Sequence, residues 1–195
     1  MYFNRFLKNF KGNNYIKSAY QKLAWIAFLQ QKGDEKMSCL EKIKSEGRAF
    51  IDEDKVALKE AEKNYMNSPK LLRARLLYDG GYYKKAHLEL TSENKLSDYA
   101  GFFDEYYYRL ARIESKLKYF DTQVISQYQK AFDIGKKSTN YYAPMSALQI
   151  GLILEKQNKL NQAKIYFEKC LSFSDFDYER GIHQKAKAGL VRVIN

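Results

Sequence analysis

A chain of 195 residues that is 45% hydrophobic is long enough to bury a substantial core, and two prolines and ten glycines are too few for a loop-rich β protein. The formal charge of +11 makes nucleic acid or an anionic membrane conceivable partners, but positions 1–50 hold ten basic residues against four acidic ones and 51–100 nine against nine, with no dense basic tract. No apolar run reaches the roughly 18 residues of a membrane-spanning helix, and the two cysteines, Cys39 and Cys170, sit on apolar faces rather than in a disulfide framework.

Residues 2–11 place Phe3, Phe6, Leu7 and Phe10 on one helical face, which reads as the second helix of a pair whose first member is missing. The expectation is a C-terminal fragment of a longer chain, with any export signal upstream of Met1. A complete helix pair follows over 15–46, with Gly33 expected to reverse the chain and Ser38 at a close-approach position. Residues 52–64 are highly charged. Val56, Ala57 and Ala61 give them only a narrow apolar stripe, so an inserted helix lying against the outside is expected, and Asp52, Glu53 and Asp54 read as its acidic start rather than as a metal site.

The next pair spans 69–92, with Ala74 on the first helix, Gly80 and Gly81 at the turn, and Tyr83, Ala86 and Leu90 on the second. No strand precedes the double glycine and no Lys-Ser or Lys-Thr follows it, so it is a turn and not a phosphate loop. A further pair runs over 98–134, where Leu110 and Ala111 form a large-small step and Val124, Tyr128 and Ala131 the facing stripe. Its connection, Leu117 to Asp121, lacks glycine and reads one residue longer than the others. Residues 138–172 hold the clearest pair, and 178–194 a final helix with Ile182, Ala186, Leu190 and Val193 inward and Lys185, Lys187 and Arg192 outward.

Within 138–172 the large-small step Ile150-Gly151, the series Ala163, Phe167, Cys170 and a turn at Asn158 resemble the tetratricopeptide repeat. The resemblance implies an all-α fold: a right-handed superhelical solenoid of antiparallel helix pairs, forming one domain over 1–195 and ending in a capping helix at 178–194. The segment from Phe3 to Trp25, with Phe3, Phe6, Leu7, Ala19, Leu23, Ala24 and Trp25, resembles the way repeats run together in bacterial envelope proteins of this superfamily. That resemblance implies a periplasmic or envelope location, with the cytoplasm as the alternative.

Catalytic patterns are absent from the sequence. His87 and His183 have no Cys or acidic partner at metal-ligand spacing, and nucleophile elbows, dinucleotide fingerprints and zinc signatures do not occur. The sequence therefore reads as a non-enzyme with no cofactor and no metal. The resemblance further implies a concave groove lined by the first helices of successive repeats. Carried onto this chain it selects Leu72, Arg75 and Tyr78, then Tyr108, Arg109, Arg112 and Lys116, then Met145, Leu148, Gln149, Leu152 and Lys156. Arg75, Arg109, Arg112 and Lys116 would make a basic strip suited to an extended peptide with acidic residues or a free carboxylate, because Arg grips carboxylates with paired hydrogen bonds. The same arginines could instead pair with Glu105 and Glu114. Two other readings stay in view: a helical-repeat nucleic-acid binder, disfavoured by the scattered basic residues, and a structural or oligomerisation segment.

Overall fold

The computed structural model describes residues 2–63, 68–92 and 99–194. The described residues form eleven α-helices and no strand. The ends placed by sequence at 64 and 98 lie outside the described residues. Both prolines fall where a helix tolerates them, Pro69 as the first residue of its helix and Pro144 as the third of its own, so neither removes an internal hydrogen bond.

The chain divides into two compact units, Met1–Leu72 and Arg73–Asn195, the division falling within one helix. The first unit holds α1 (Tyr2–Asn9), α2 (Ile16–Leu29), α3 (Gly33–Ser45), α4 (Asp52–Glu62) and the start of α5 (Pro69–Asp79). Its core is small: Ile16, Tyr20, Ala24, Leu40, Ile43, Ala57 and Ala61, with Phe6, Leu7, Leu23 and Cys39 against it. The charged α4 does more than lie on the outside. Ala57 and Ala61 are fully buried, and the Asp54 carboxylate accepts the Tyr15 backbone N–H at 2.6 Å and that of Ser18 at 2.9 Å, capping α2 from another helix.

Two further polar ties hold this unit. Lys17 Nζ donates to the Ile43 carbonyl at 2.5 Å, meeting a carbonyl of the last turn of α3 that has no helical partner. Glu60 accepts from Gln21 at 2.5 Å and from the Trp25 indole at 2.7 Å, joining α4 to α2. Tyr20 donates to Glu46 at 2.7 Å, and burial, reinforced by Glu46, pushes its phenol up to about 12.

The second unit continues through α6 (Tyr83–Thr91), α7 (Phe103–Lys116), α8 (Asp121–Gly135), α9 (Tyr142–Lys156), α10 (Leu160–Leu171) and α11 (Glu179–Ile194), with each helix from α6 to α11 packed on its neighbour. Gln157, just past the end of α9, reaches Asp121 at the start of α8 at 2.8 Å, as antiparallel neighbours require. The final pair closes on Phe167, fully buried between two glycines. A Cβ at Gly151 would come within 2.7 Å of its ring and one at Gly189 within 2.5 Å. Cys170, packed in the same core, is a free thiol pushed up to about 12 by burial.

One turn design closes four helix pairs. Gln31, Gly81, Lys118 and Asn158 have φ of 59, 80, 61 and 59°, and each donates its N–H three residues back while the next residue donates five back. These are Schellman motifs, which meet the last carbonyls of the first helix as the chain turns. In the first pair the left-handed residue is therefore Gln31, and Gly33 opens α3. The α7–α8 connection keeps the same motif but carries one residue more than the others, Phe120.

Candidate peptide-binding site

The four residues of the predicted basic strip, Arg75, Arg109, Arg112 and Lys116, all fall in the second unit. Glu105 and Arg109 lie one turn apart on α7, both buried, with the Arg109 Nε–H donating to Glu105 Oε1 at 2.6 Å and Nη2 contacting the same oxygen. Burial works against the Arg109 charge, but the Glu105 carboxylate outweighs it and holds the guanidinium firmly protonated. Arg109 is thus committed within the fold, as the Glu105 pairing weighed in the sequence suggested. The Tyr142 ring lies 5.9 Å away.

Arg112, one helical turn from Tyr108 and Glu105's neighbours, stands differently. Its guanidinium lies 4.1 Å from the centroid of Tyr78 on α5 and 5.5 Å from that of Tyr108, and among the described residues it forms no ion pair. Arg75, also on α5, lies 3.8 Å from Asp79. Tyr108 is buried and central: Tyr128, Tyr141 and Tyr142 surround it at 6.1, 5.7 and 5.3 Å between ring centroids. Burial pushes the phenols of Tyr108, Tyr128 and Tyr142 upward, so they stay neutral donors at physiological pH.

The remaining predicted positions separate. Lys116 and Lys156 are exposed near the ends of α7 and α9, and Leu148 is fully buried in the core. Met145, Gln149 and Leu152 are half-buried on α9, where the Gln149 amide reaches the Met145 sulfur at 3.7 Å. Leu72, the last residue of the first unit, is buried. Sequence reading passed over Tyr128, Tyr141 and Tyr142. The first was placed on a second helix and the other two were given no role, and only the antiparallel return of α8 and α9 brings them to Tyr108.

What this arrangement offers is one aromatic-flanked guanidinium, a second one already neutralised, and neutral phenols. Those groups suit binding through ring faces and charged hydrogen bonds. Residues 146–176 match the family model of the tetratricopeptide repeat, covering most of α9 and all of α10. A repeat of this type, set in an all-helical array of consecutively packed pairs, suggests a protein-interaction scaffold. No curated protein matches the chain.

Proposed function

We propose that this chain is a non-enzymatic scaffold that binds a protein or peptide through the second unit, and that Arg112 receives an acidic side chain or a free C-terminal carboxylate of an extended peptide. One observation carries the reading: Arg112 is held half-buried against Tyr78 and Tyr108 with no ion-pair partner among the described residues, while the buried Arg109 on the same helix is satisfied by Glu105. Aromatic walls orient a guanidinium and lower the local dielectric, which strengthens a bidentate grip on a carboxylate. Lys116, exposed one turn further along α7, adds attraction for acidic residues flanking the anchor. An envelope assembly belongs to this proposal only through the resemblance of residues 3–25.

The test is an array of acidic peptides with free and with amidated C-termini, probed with the wild-type chain and with Arg112→Gln. Retention of acidic peptides should fall by at least tenfold in the variant. Equal retention would remove Arg112 from the interface. Arg109→Gln is the wrong probe, because it breaks a buried ion pair inside α7 and unsettles the fold.

A further inference from the structure

The turn ends of the second unit share one face of the array. Gln157 after α9 bonds Asp121 at the start of α8, α6 packs on α7 with the His87 ring midway along it 5.4 Å from Tyr119 in the α7–α8 turn, and Arg192 near the end of α11 holds Glu155 near the end of α9 at 2.5 and 2.8 Å. The α5–α6, α7–α8 and α9–α10 turns and the C-terminus of α11 therefore lie at the same end of the helices.

That end carries apolar side chains in water. Phe120 is 84% exposed, Tyr82 and Val191 59% each, and Ile194 58%. Phe120 is the residue that makes the α7–α8 connection longer than its counterparts, which close with the same hydrogen-bond pattern without it. The turn does not need it, and burial does not explain it.

The same end is basic. Lys84 and Lys85 open α6, Lys116 and Lys118 flank the second turn, and Lys156 and Lys159 flank the third, all exposed. The carboxylates nearby are already engaged: Asp79 by Arg75, Asp121 by Gln157, Glu155 by Arg192.

We propose that this end is a docking surface for an anionic lipid bilayer, with Phe120, Tyr82 and the end of α11 entering the headgroup region and the six lysines drawn to the lipid charge. Charge complementarity favours an anionic partner, and the aliphatic Val191 and Ile194 favour a bilayer over nucleic acid, since they cannot stack on bases. Lysine, a hydrated point charge, suits a diffuse anionic surface, and the arginines at this end, Arg75 and Arg192, lie against Asp79 and Glu155. The surface shares Lys116 with the proposed peptide site but does not depend on Arg112.

Vesicle co-sedimentation tests this, with phosphatidylcholine alone and with about one third phosphatidylglycerol. The chain should sediment with the anionic vesicles only, and raised salt should release it. Phe120→Asp and the double variant Lys118→Glu/Lys159→Glu, all at exposed positions, should each lower partitioning by roughly tenfold with helical circular dichroism unchanged. Phe120→Trp should show blue-shifted emission on anionic vesicles. The proposal is overturned by equal sedimentation with neutral vesicles, by variants that bind as wild type does, or by displacement from vesicles by a single-stranded oligonucleotide or polyglutamate at equal charge concentration. The last result would assign the surface to a soluble polyanion.

Discussion

The two units reach stability by different means, though both use antiparallel helix pairs and the same turn. The second is held by one large apolar and aromatic core running from Tyr108 to Ala186, with Phe167 seated between glycines. The first has a smaller apolar cluster among its described residues and relies on long-range polar ties: Asp54 on the start of α2, Lys17 on the end of α3, Glu60 on Gln21 and Trp25. Apolar packing gains with every added contact and is forgiving in detail, whereas a buried polar tie is strongly unfavourable once broken. The comparison predicts that truncating an apolar core side chain does most harm in the second unit, and that breaking a polar tie between helices does most harm in the first.

The largest effect should come from Phe167→Ala. The ring is fully buried and touches both flanking glycine positions, so the loss is its transfer free energy plus an uncollapsed cavity, about 4 kcal/mol. Denaturant unfolding followed by far-ultraviolet circular dichroism gives the magnitude, and amide exchange over 142–190 gives the location. A loss below about 1 kcal/mol would mean that the glycines move in to fill the space.

Next comes Asp54→Ala, which frees two N–H groups at the start of α2 and should cost about 2 to 3 kcal/mol. The only tryptophan, Trp25, is buried in this unit and reports its unfolding by fluorescence. Asp54→Asn, which keeps one acceptor oxygen, should recover part of the loss. If alanine is tolerated as well as asparagine, the polar ties are decoration and the contrast between units fails.

That contrast also explains what the sequence revealed. Apolar periodicity marked the helices of the second unit, and the repeat-like pattern singled out both Gly151 and Phe167, because a packed solenoid writes its core into helical spacing. The same signal could not show that Asp54 turns inward, since an acidic triplet at a helix start looks the same whether all three residues serve their own helix or one caps another. Nor could it separate Arg109 from Arg112. Both follow acidic or aromatic neighbours at one-turn spacing, and only the placement of Tyr78 from a different helix sets Arg112 apart. Glycine misled at the first turn for a related reason: a left-handed backbone is fixed by the hydrogen bonds around it, and Gln31 takes it two residues before Gly33.

Polar burial in the second unit provides a reversed test. Glu114 is buried with Oε1 receiving Gln123 at 3.0 Å and lying 3.8 Å from His87, while Oε2 has no hydrogen-bond partner. Burial raises its pKa above the ordinary carboxylate value. With the folded pKa above the unfolded one, stability is highest while the group is protonated and declines as pH rises through that window. Glu114→Gln removes the charge, so it should raise stability by about 1 kcal/mol at pH 7 and change little below the unfolded carboxylate pKa, near 4. Paired denaturation curves at the two pH values check this, and a destabilised variant at pH 7 would show that the carboxylate is held by an attraction stronger than its burial.

The smallest effect tests what the units share. Gln31 in the first and Lys118 in the second both hold φ near +60°, where a side chain is strained and glycine is not. Neither side chain is buried, so Gln31→Gly and Lys118→Gly remove strain without removing packing. Glycine also loosens the unfolded chain, which offsets part of the benefit, leaving a gain of about 0.5 kcal/mol each. Asn158→Gly should gain less, because asparagine already tolerates this backbone. Thermal unfolding of the three variants ranks them. Equal gains at 31 and 118 would show one turn device working alike in a polar-tied unit and an apolar one, whereas a gain at 118 alone would mean that Gln31 contributes to the first unit through more than its backbone.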